Sequence, residues 1–520
     1  MNPIALKRLD AAPDTLEIGA RPLSIDDVVS LARGTVRPAL APEARERMRR
    51  SAEVMERLHA SGDSIYGVTT SVGASVCVEV PKERAAELSL NLLRMHGCGT
   101  GRILEEEEAA AVLALRIASL AAGKSGVRVE LAERLVRFLD ERVLPRIPAE
   151  GSVGASGDLT PLSYVAAMLV GEREVSYRGR EVPAREALEA LGLEPLTLKP
   201  KESLALMNGT AVATAIACLA WERARALARL ASSITAMTSL AVNGNPSHFD
   251  AFIHDAKPHR GQVRVASWIR EDLVFDRPPA RSIARLQDRY SIRCAPHVIG
   301  VLVDALRFAA ETLETEFNGV SDNPLVDVES ERILHGGNFY GGHVAFVCDS
   351  LKTAVANVAC LLDRQLLLLC NPEENDGLPR DLKGVDGEGA CVHNGFKAVT
   401  IATSSLAAEA LKLTMPASAF SRSTELHNQD KVPMATIAAR DLLRIVEITE
   451  QVAAMLTLAV CQAVELRGET ACSRRATAIL DAVRREVPRL VEDRRMDRDV
   501  HAVLAMMREG ALPTGDPSLT

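Results

Sequence analysis

GSVGASGDLTP, residues 151–161, brackets one serine between two small neighbours, Ala155 and Gly157. Glycine places almost no steric limit on the backbone, so the turn can fold tightly enough for the Gly157 nitrogen to reach the Ala155 carbonyl. Ring closure there, followed by loss of water from Ser156, leaves an exocyclic methylidene on a five-membered imidazolone, an electrophile that no ordinary side chain supplies. The plainer reading is a Gly/Ser loop leading into a helix. A serine-hydrolase elbow needs glycine two residues after the serine, where this chain has Asp158.

Outward from this loop the pattern is helical. Apolar residues recur at helical intervals over 41–60, 82–95, 104–122, 129–144 and 162–171, and the acidic first turn of 104–122 suits the helix dipole. The segment 64–76, SIYGVTTSVGASV, lacks periodicity and reads as a loop. EVSYRGREV, 174–182, reads as a small hairpin. The stretch 191–202, with Pro195 and Pro200, breaks the pattern and marks a domain boundary. Beyond it, Ala/Leu-rich runs cover 204–242, 297–317, 344–369, 399–413 and 437–466, longer than ordinary globular helices. The expected fold is therefore mainly α. A smaller, mostly helical N-terminal domain (1–200) carries the Ala-Ser-Gly loop, and a long-helix bundle (201–520) follows. Residues 276–282 are expected to form an exposed loop and 510–520 a frayed end.

Composition narrows the function. Of 520 residues, 47% are hydrophobic but only 3% aromatic, so the core must be built from Ala, Leu, Val and Ile. A formal charge of -8 leaves no global basic footprint for nucleic acid. The first 17 residues have no apolar signal core, and no uninterrupted apolar stretch reads as a bilayer span, which gives a cytoplasmic expectation. Ten cysteines without a C-x-x-C pair support neither a disulfide framework nor a metal site, and Cys218 and Cys360 are expected to be buried thiols.

Six further polar motifs sit where helical patterns break: YGVTTSVG (66–73), LMNGT (206–210), QDRYSIR (287–293), SDNP (321–324), HGGNF (335–339) and HNQD (427–430). Read in this order with GASGDL, they resemble the aromatic amino acid ammonia-lyase and aminomutase family, which includes the histidine, phenylalanine and tyrosine ammonia-lyases. The resemblance runs from about residue 66 to about residue 468. It implies that Ala155, Ser156 and Gly157 cyclise unaided to 4-methylidene-imidazol-5-one, with no external cofactor and no metal. It also implies a homotetramer whose sites are each assembled from three subunits.

Eliminating ammonia from an α-amino acid means breaking a weakly acidic Cβ–H bond and expelling a poor leaving group, so both a base and an electrophile are wanted. By the resemblance, Tyr66 is the base. A free phenol titrates near about 10, so its phenolate needs stabilisation from the surroundings, such as helix N-termini. Arg293 matches the residue that holds the substrate carboxylate, a task suited to a bidentate fork. Gln287 and Tyr290 match residues that orient substrate and prosthetic group. Asn208 matches one that bonds the ring oxygen or the carboxylate, and Phe339 packs on the ring or the substrate. Asn323 organises a turn.

Met95 and His96 stand where the family reads the far end of the substrate side chain, and a histidine there can bond a phenol. Gln429 stands where histidine-specific lyases carry a glutamate, and a neutral amide argues against an imidazole substrate. The resulting expectation is conversion of L-tyrosine to 4-coumarate and ammonia, a phenylpropanoid-type reaction. The alternatives are a phenylalanine ammonia-lyase, a 2,3-aminomutase, a histidine ammonia-lyase, or an inactive helical scaffold with an unprocessed loop. Ser71, Val72, Tyr340 and Pro433 depart from the family pattern, which bears on kinetics and specificity rather than on class.

Overall fold

A computed structural model describes residues 14–276 and 283–519, so all of the expected loop at 276–282 except Asp276 lies outside the described residues. The periodic stretches form the helices Pro42–Ser61, Ala85–Met95, Glu106–Ala121, Val129–Asp140 and Leu162–Leu169. Glu106–Ala121 is buried over nearly its whole length and begins in a capping box between Glu105 and Glu108. Val129–Asp140 stops short of the expected 144, because Arg142 takes a left-handed φ of 53° and Leu144–Pro145 joins a sheet. The hairpin pairs Glu174–Tyr177 with Arg180–Pro183. Arg178 and Gly179 both have positive φ, the pattern of a two-residue type I′ turn. Leu144–Pro145 adds a third strand to this hairpin, and the other sheets are two-stranded.

The long apolar runs form Ala211–Ala241, Ala295–Asn318, Gly342–Cys370, Lys397–Lys412 and Ala435–Arg467. Alanine and leucine together supply most of their buried apolar positions, which lets helices fill a core with few rings. The fold is a mainly helical bundle. One expected run is interrupted: 204–242 divides into Glu202–Met207 and Ala211–Ala241. The break falls at Asn208–Thr210, where Gly209 adopts a φ of 133° that no helix accommodates.

The chain packs as two compact units, each made of three separated stretches, where the sequence predicts two consecutive domains. The first comprises Met1–Leu219, Ala310–Cys348 and Pro416–Arg440, and the second Ala220–Ala309, Asp349–Met415 and Asp441–Thr520. The divisions at 219/220, 309/310, 348/349 and 440/441 fall inside long helices, so a linker-based boundary at 191–202 does not mark them.

Three further expectations need correction. The C-terminal tail is held rather than frayed: Leu512 is buried, Arg475 donates to the Pro513 carbonyl, and Arg264 and Arg307 donate to the carbonyls of Ser518 (3.2 Å) and Leu519 (3.1 Å). Cys360 is only partly buried, although Cys218 is enclosed. Gly342–Cys370 is long and apolar enough to cross a membrane, contrary to the sequence reading, but most of that apolar window is buried inside the fold. It also carries the fully buried Lys352, whose Nζ lies 2.7 Å from both the Asp349 carboxylate and the Met415 carbonyl.

Candidate active site

The Ala-Ser-Gly loop is pinned from behind by backbone. Ala155–Asp158 forms a short extended segment that bridges to Gly209: the Gly209 N–H donates to the Ser156 carbonyl (3.1 Å), and the Asp158 N–H donates to the Gly209 carbonyl (2.6 Å). Gly157 has a φ of 70°, and a Cβ there would stand 2.1 Å from the Gly209 oxygen. Only glycine fits. Gly209 is equally confined, since its Cβ would meet Arg116 Nη1 and the Ser321 oxygen at 2.5 Å each. These features fit the proposed cyclisation. No side chain at 157 obstructs ring closure, and the Ser156 carbonyl, which becomes the ring oxygen, already has an N–H donor.

Asp158 anchors the loop to the start of helix Ala211–Ala241. Its buried carboxylate accepts from the Val212 N–H (2.6 Å) and the Thr436 hydroxyl (2.9 Å). Burial nevertheless pushes its carboxyl up to about 7, against the opposing pull of those hydrogen bonds. Arg116, fully buried, donates to the carbonyls of Asn208 and Ser321. Beside it Lys201 and Asp322 form an ion pair at 2.5 Å with neither side chain exposed.

Hydrogen bonds, relayed through the backbone of residues 335–336, lead from this centre to Asn208, the loop of Phe339 and Tyr66. Asn208 ends helix Glu202–Met207 and donates through Nδ2 to the Asn323 carbonyl (2.9 Å). Asn323 Oδ1 accepts from the Gly336 N–H (2.8 Å), in the loop that carries the half-buried Phe339. His335, in the same loop, accepts the Tyr66 N–H through Nε2 (3.3 Å). The Tyr66 phenolic oxygen accepts the Gly73 N–H at 2.7 Å. Among the described residues, the expected stabilisation of a phenolate comes from this one backbone donor. Burial raises the Tyr66 phenol above its ordinary value, and the negative charge of Glu425 adds to the rise.

Met95 and His96 stand at the end of helix Ala85–Met95, with Met95 exposed and His96 half-buried. The His96 carbonyl accepts the Ser163 hydroxyl (3.2 Å), just beyond the Ala-Ser-Gly loop. Burial lowers its imidazole pKa, and the nearby Arg173 lowers it further, so the ring is neutral near pH 7. Gln429 is engaged within its own loop, its Oε1 accepting the Thr424 hydroxyl at 2.8 Å. The amide keeps its NH2 group and a second oxygen lone pair for a further partner. Gln287, Tyr290 and Arg293 belong to the second unit. Gln287 and Tyr290 are exposed, and the Arg293 guanidinium stacks over the Tyr290 ring at 4.7 Å. Arg293 Nε is buried without a hydrogen-bond partner.

Sequence reasoning did not single out Asp158, Arg116, Gly209, Lys201 or Glu425. Asp158 and Gly209 lie within quoted motifs, and the acidic residue directly after the Ala-Ser-Gly loop was the available signal for the first of them. Arg116 stands in the apolar run AAAVLALRIASLAA (109–122), a local sign of burial, but the carbonyls that it holds lie 92 and 205 residues away.

Comparison with known proteins assigns the family. Residues 23–485 match the aromatic amino acid lyase family. The chain is 40% identical over 475 residues to a histidine ammonia-lyase of Geobacillus thermodenitrificans, covering 91% of this chain and 93% of that one. It is 36% identical to the human histidine ammonia-lyase, covering 95% of this chain and 76% of the relative. Its fold superposes on tyrosine aminomutase from Streptomyces globisporus with a TM-score of 0.89 and 35% identity, covering 96% and 97% of the two chains. The Pantoea agglomerans phenylalanine aminomutase gives a TM-score of 0.89 at 29% identity, covering 98% and 100%. With the family matched across most of its length and an Ala-Ser-Gly loop pinned beside Asn208 and linked to Tyr66, this chain belongs to the aromatic amino acid lyases, a family of carbon–nitrogen lyases.

Proposed function

We propose that the protein is an aromatic L-amino acid ammonia-lyase that converts L-tyrosine to 4-coumarate and ammonia. The observation that carries the substrate choice is His96, a half-buried and neutral imidazole at the end of helix Ala85–Met95, able to exchange a hydrogen bond with a phenol. A site that bonds a hydroxyl discriminates strongly against the analogue lacking it. Met95 shares this end of the site. Gln429 is a neutral amide where histidine-specific lyases carry a glutamate, which argues against an imidazole substrate.

The 4-methylidene-imidazol-5-one that Ala155, Ser156 and Gly157 would form supplies an electrophilic carbon for the substrate amine. The other tasks fall to side chains. Arg293 grips the carboxylate with the fork that Tyr290 supports from one face. Gln287 and Tyr290 orient the substrate, Phe339 flanks it, and Asn208 holds the ring oxygen or the carboxylate. Tyr66 removes the β-proton as phenolate and carries it as phenol. We further propose a homotetramer with shared sites. Support comes from the exposure of Tyr290 and of large apolar side chains such as Val301, Phe346 and Ile401 on long helices.

A second reading, histidine deamination, is favoured by one specific observation: the curated relatives described above are histidine ammonia-lyases. Separate incubations with L-tyrosine, L-phenylalanine and L-histidine, followed by product chromatography, distinguish the readings. 4-Coumarate from L-tyrosine is the expected dominant product. A β-amino acid would identify an aminomutase, and urocanate without 4-coumarate would overturn the tyrosine assignment.

A further inference from the structure

Tyr66 meets a second loop whose role the proposed chemistry leaves open. The phenolic oxygen accepts from Gly73, the first residue of a 3-10 turn, Gly73–Ser75. The next N–H, from Ala74, donates to Glu425 Oε1 at 2.7 Å, and Asn428 Nδ2 holds the other oxygen of the same carboxylate at 2.8 Å. Contact between the two loops is tight: a Cβ on Gly73, which has a φ of 61°, would stand 2.0 Å from Glu425 Oε1. Glu425, Leu426 and His427 all have positive φ values, between 51° and 66°. Three consecutive non-glycine residues in the left-handed region carry a local cost, so neighbouring contacts must hold this conformation in place.

We propose that Glu425 is a positioning residue for the base: its carboxylate fixes the Gly73–Ser75 turn so that the Gly73 N–H points at the Tyr66 phenolic oxygen. The arrangement does two opposing things. Holding the Gly73 donor favours the phenolate, whereas the negative charge of Glu425 disfavours it. Glu425 thereby keeps the hydrogen-bond donor of Tyr66 in place while adding a smaller rise to the one that burial gives the phenol. Among the described residues, the titratable groups that meet Tyr66 are Glu425 and His335. His335 accepts the Tyr66 N–H through Nε2, and burial lowers its pKa, so its ring is neutral there.

This inference rests on Tyr66 being the base, and the test separates the two ideas. Glu425→Gln keeps an oxygen acceptor for the Ala74 N–H but removes the charge, and Glu425→Ala removes both. Loss of a hydrogen bond to a charged group is worth roughly tenfold or more. Glu425→Ala should therefore lower kcat by about that factor with a smaller change in KM, and Glu425→Gln should restore most of it. Ultraviolet difference titration of the phenol, with Tyr66→Phe subtracted, should show Tyr66 ionising at lower pH in Glu425→Gln than in the wild type. The acid limb of kcat/KM should move the same way. Equal loss of kcat in both variants would make the charge act directly on the substrate and overturn the proposal. Wild-type turnover by Glu425→Ala, or an unmoved Tyr66 titration in Glu425→Gln, would overturn it as well. Full activity in Tyr66→Phe would instead refute the base assignment, while the phenol titration would still report the Glu425–Tyr66 coupling.

Discussion

Gly209→Ala should damage both the fold and the reactive loop, because residue 209 has no room for a side chain in either respect. A φ of 133° lies in a region that is essentially reserved for glycine, and forcing alanine into it costs about 1–3 kcal/mol. The added methyl would stand 2.5 Å from Arg116 Nη1 and from the Ser321 carbonyl oxygen. The carbonyl is backbone and cannot swing away, so overpacking adds about 1–3 kcal/mol. Together these make about 2–6 kcal/mol, a large part of the roughly 5–15 kcal/mol that keeps a typical domain folded. Any relaxation of residue 209 also disturbs the two backbone bonds to Ser156 and Asp158, so cyclisation should fall as well. Urea denaturation reads the first effect, and intact mass reads the second as a smaller fraction of protein lacking two waters. Gly179→Ala is the control, since its φ is 71° and nothing lies within 4 Å of the new methyl. Equal destabilisation of the two variants, with full dehydration in Gly209→Ala, would refute the packing argument.

Other outcomes follow from the same centre. Asp158 has a folded pKa raised by burial from 3.8 to about 7, so its contribution is fully present below the unfolded value and is lost as pH rises through the folded one. The loss is on the order of 4 kcal/mol between about pH 4 and about pH 7. Asp158→Asn should flatten that slope in pH-dependent denaturation, and an unchanged slope would mean that Asp158 is ionised throughout. Lys201→Met strands the buried Asp322 carboxylate and should cost about 3–5 kcal/mol. Adding Asp322→Asn should recover part of the loss, and strict additivity would argue against a coupled pair. His96→Phe should shift the ratio of kcat/KM from L-tyrosine toward L-phenylalanine, and an unchanged ratio would remove His96 from recognition of the ring.

The long helices were legible because Ala/Leu runs such as 437–466 need only local periodicity, and Ala435–Arg467 follows it closely. The break inside 204–242 was visible only as the motif LMNGT. Its cause, the pairing of Gly209 with the loop at Ser156–Asp158, lies some fifty residues upstream, beyond any local pattern. Asp158 reads in sequence as an ordinary loop aspartate, and its capping of Ala211–Ala241 depends on where that helix begins. The tail from 510 looked free because the arginines that hold it come from three distant segments. The division into units escaped because each is assembled from separated stretches. Glu425 stayed hidden for the same reason: its partner Ala74 is 351 residues away.

The central claim is that Ala155, Ser156 and Gly157 become an electrophile, and the intact mass of the purified wild-type protein beside Ser156→Ala tests it most directly. The wild-type chain should be lighter than its sequence by two waters, with the deficit confined to the peptide spanning 151–161, and the Ser156→Ala chain should form no methylidene. A wild-type protein of full sequence mass that nevertheless releases ammonia from L-tyrosine would contradict it.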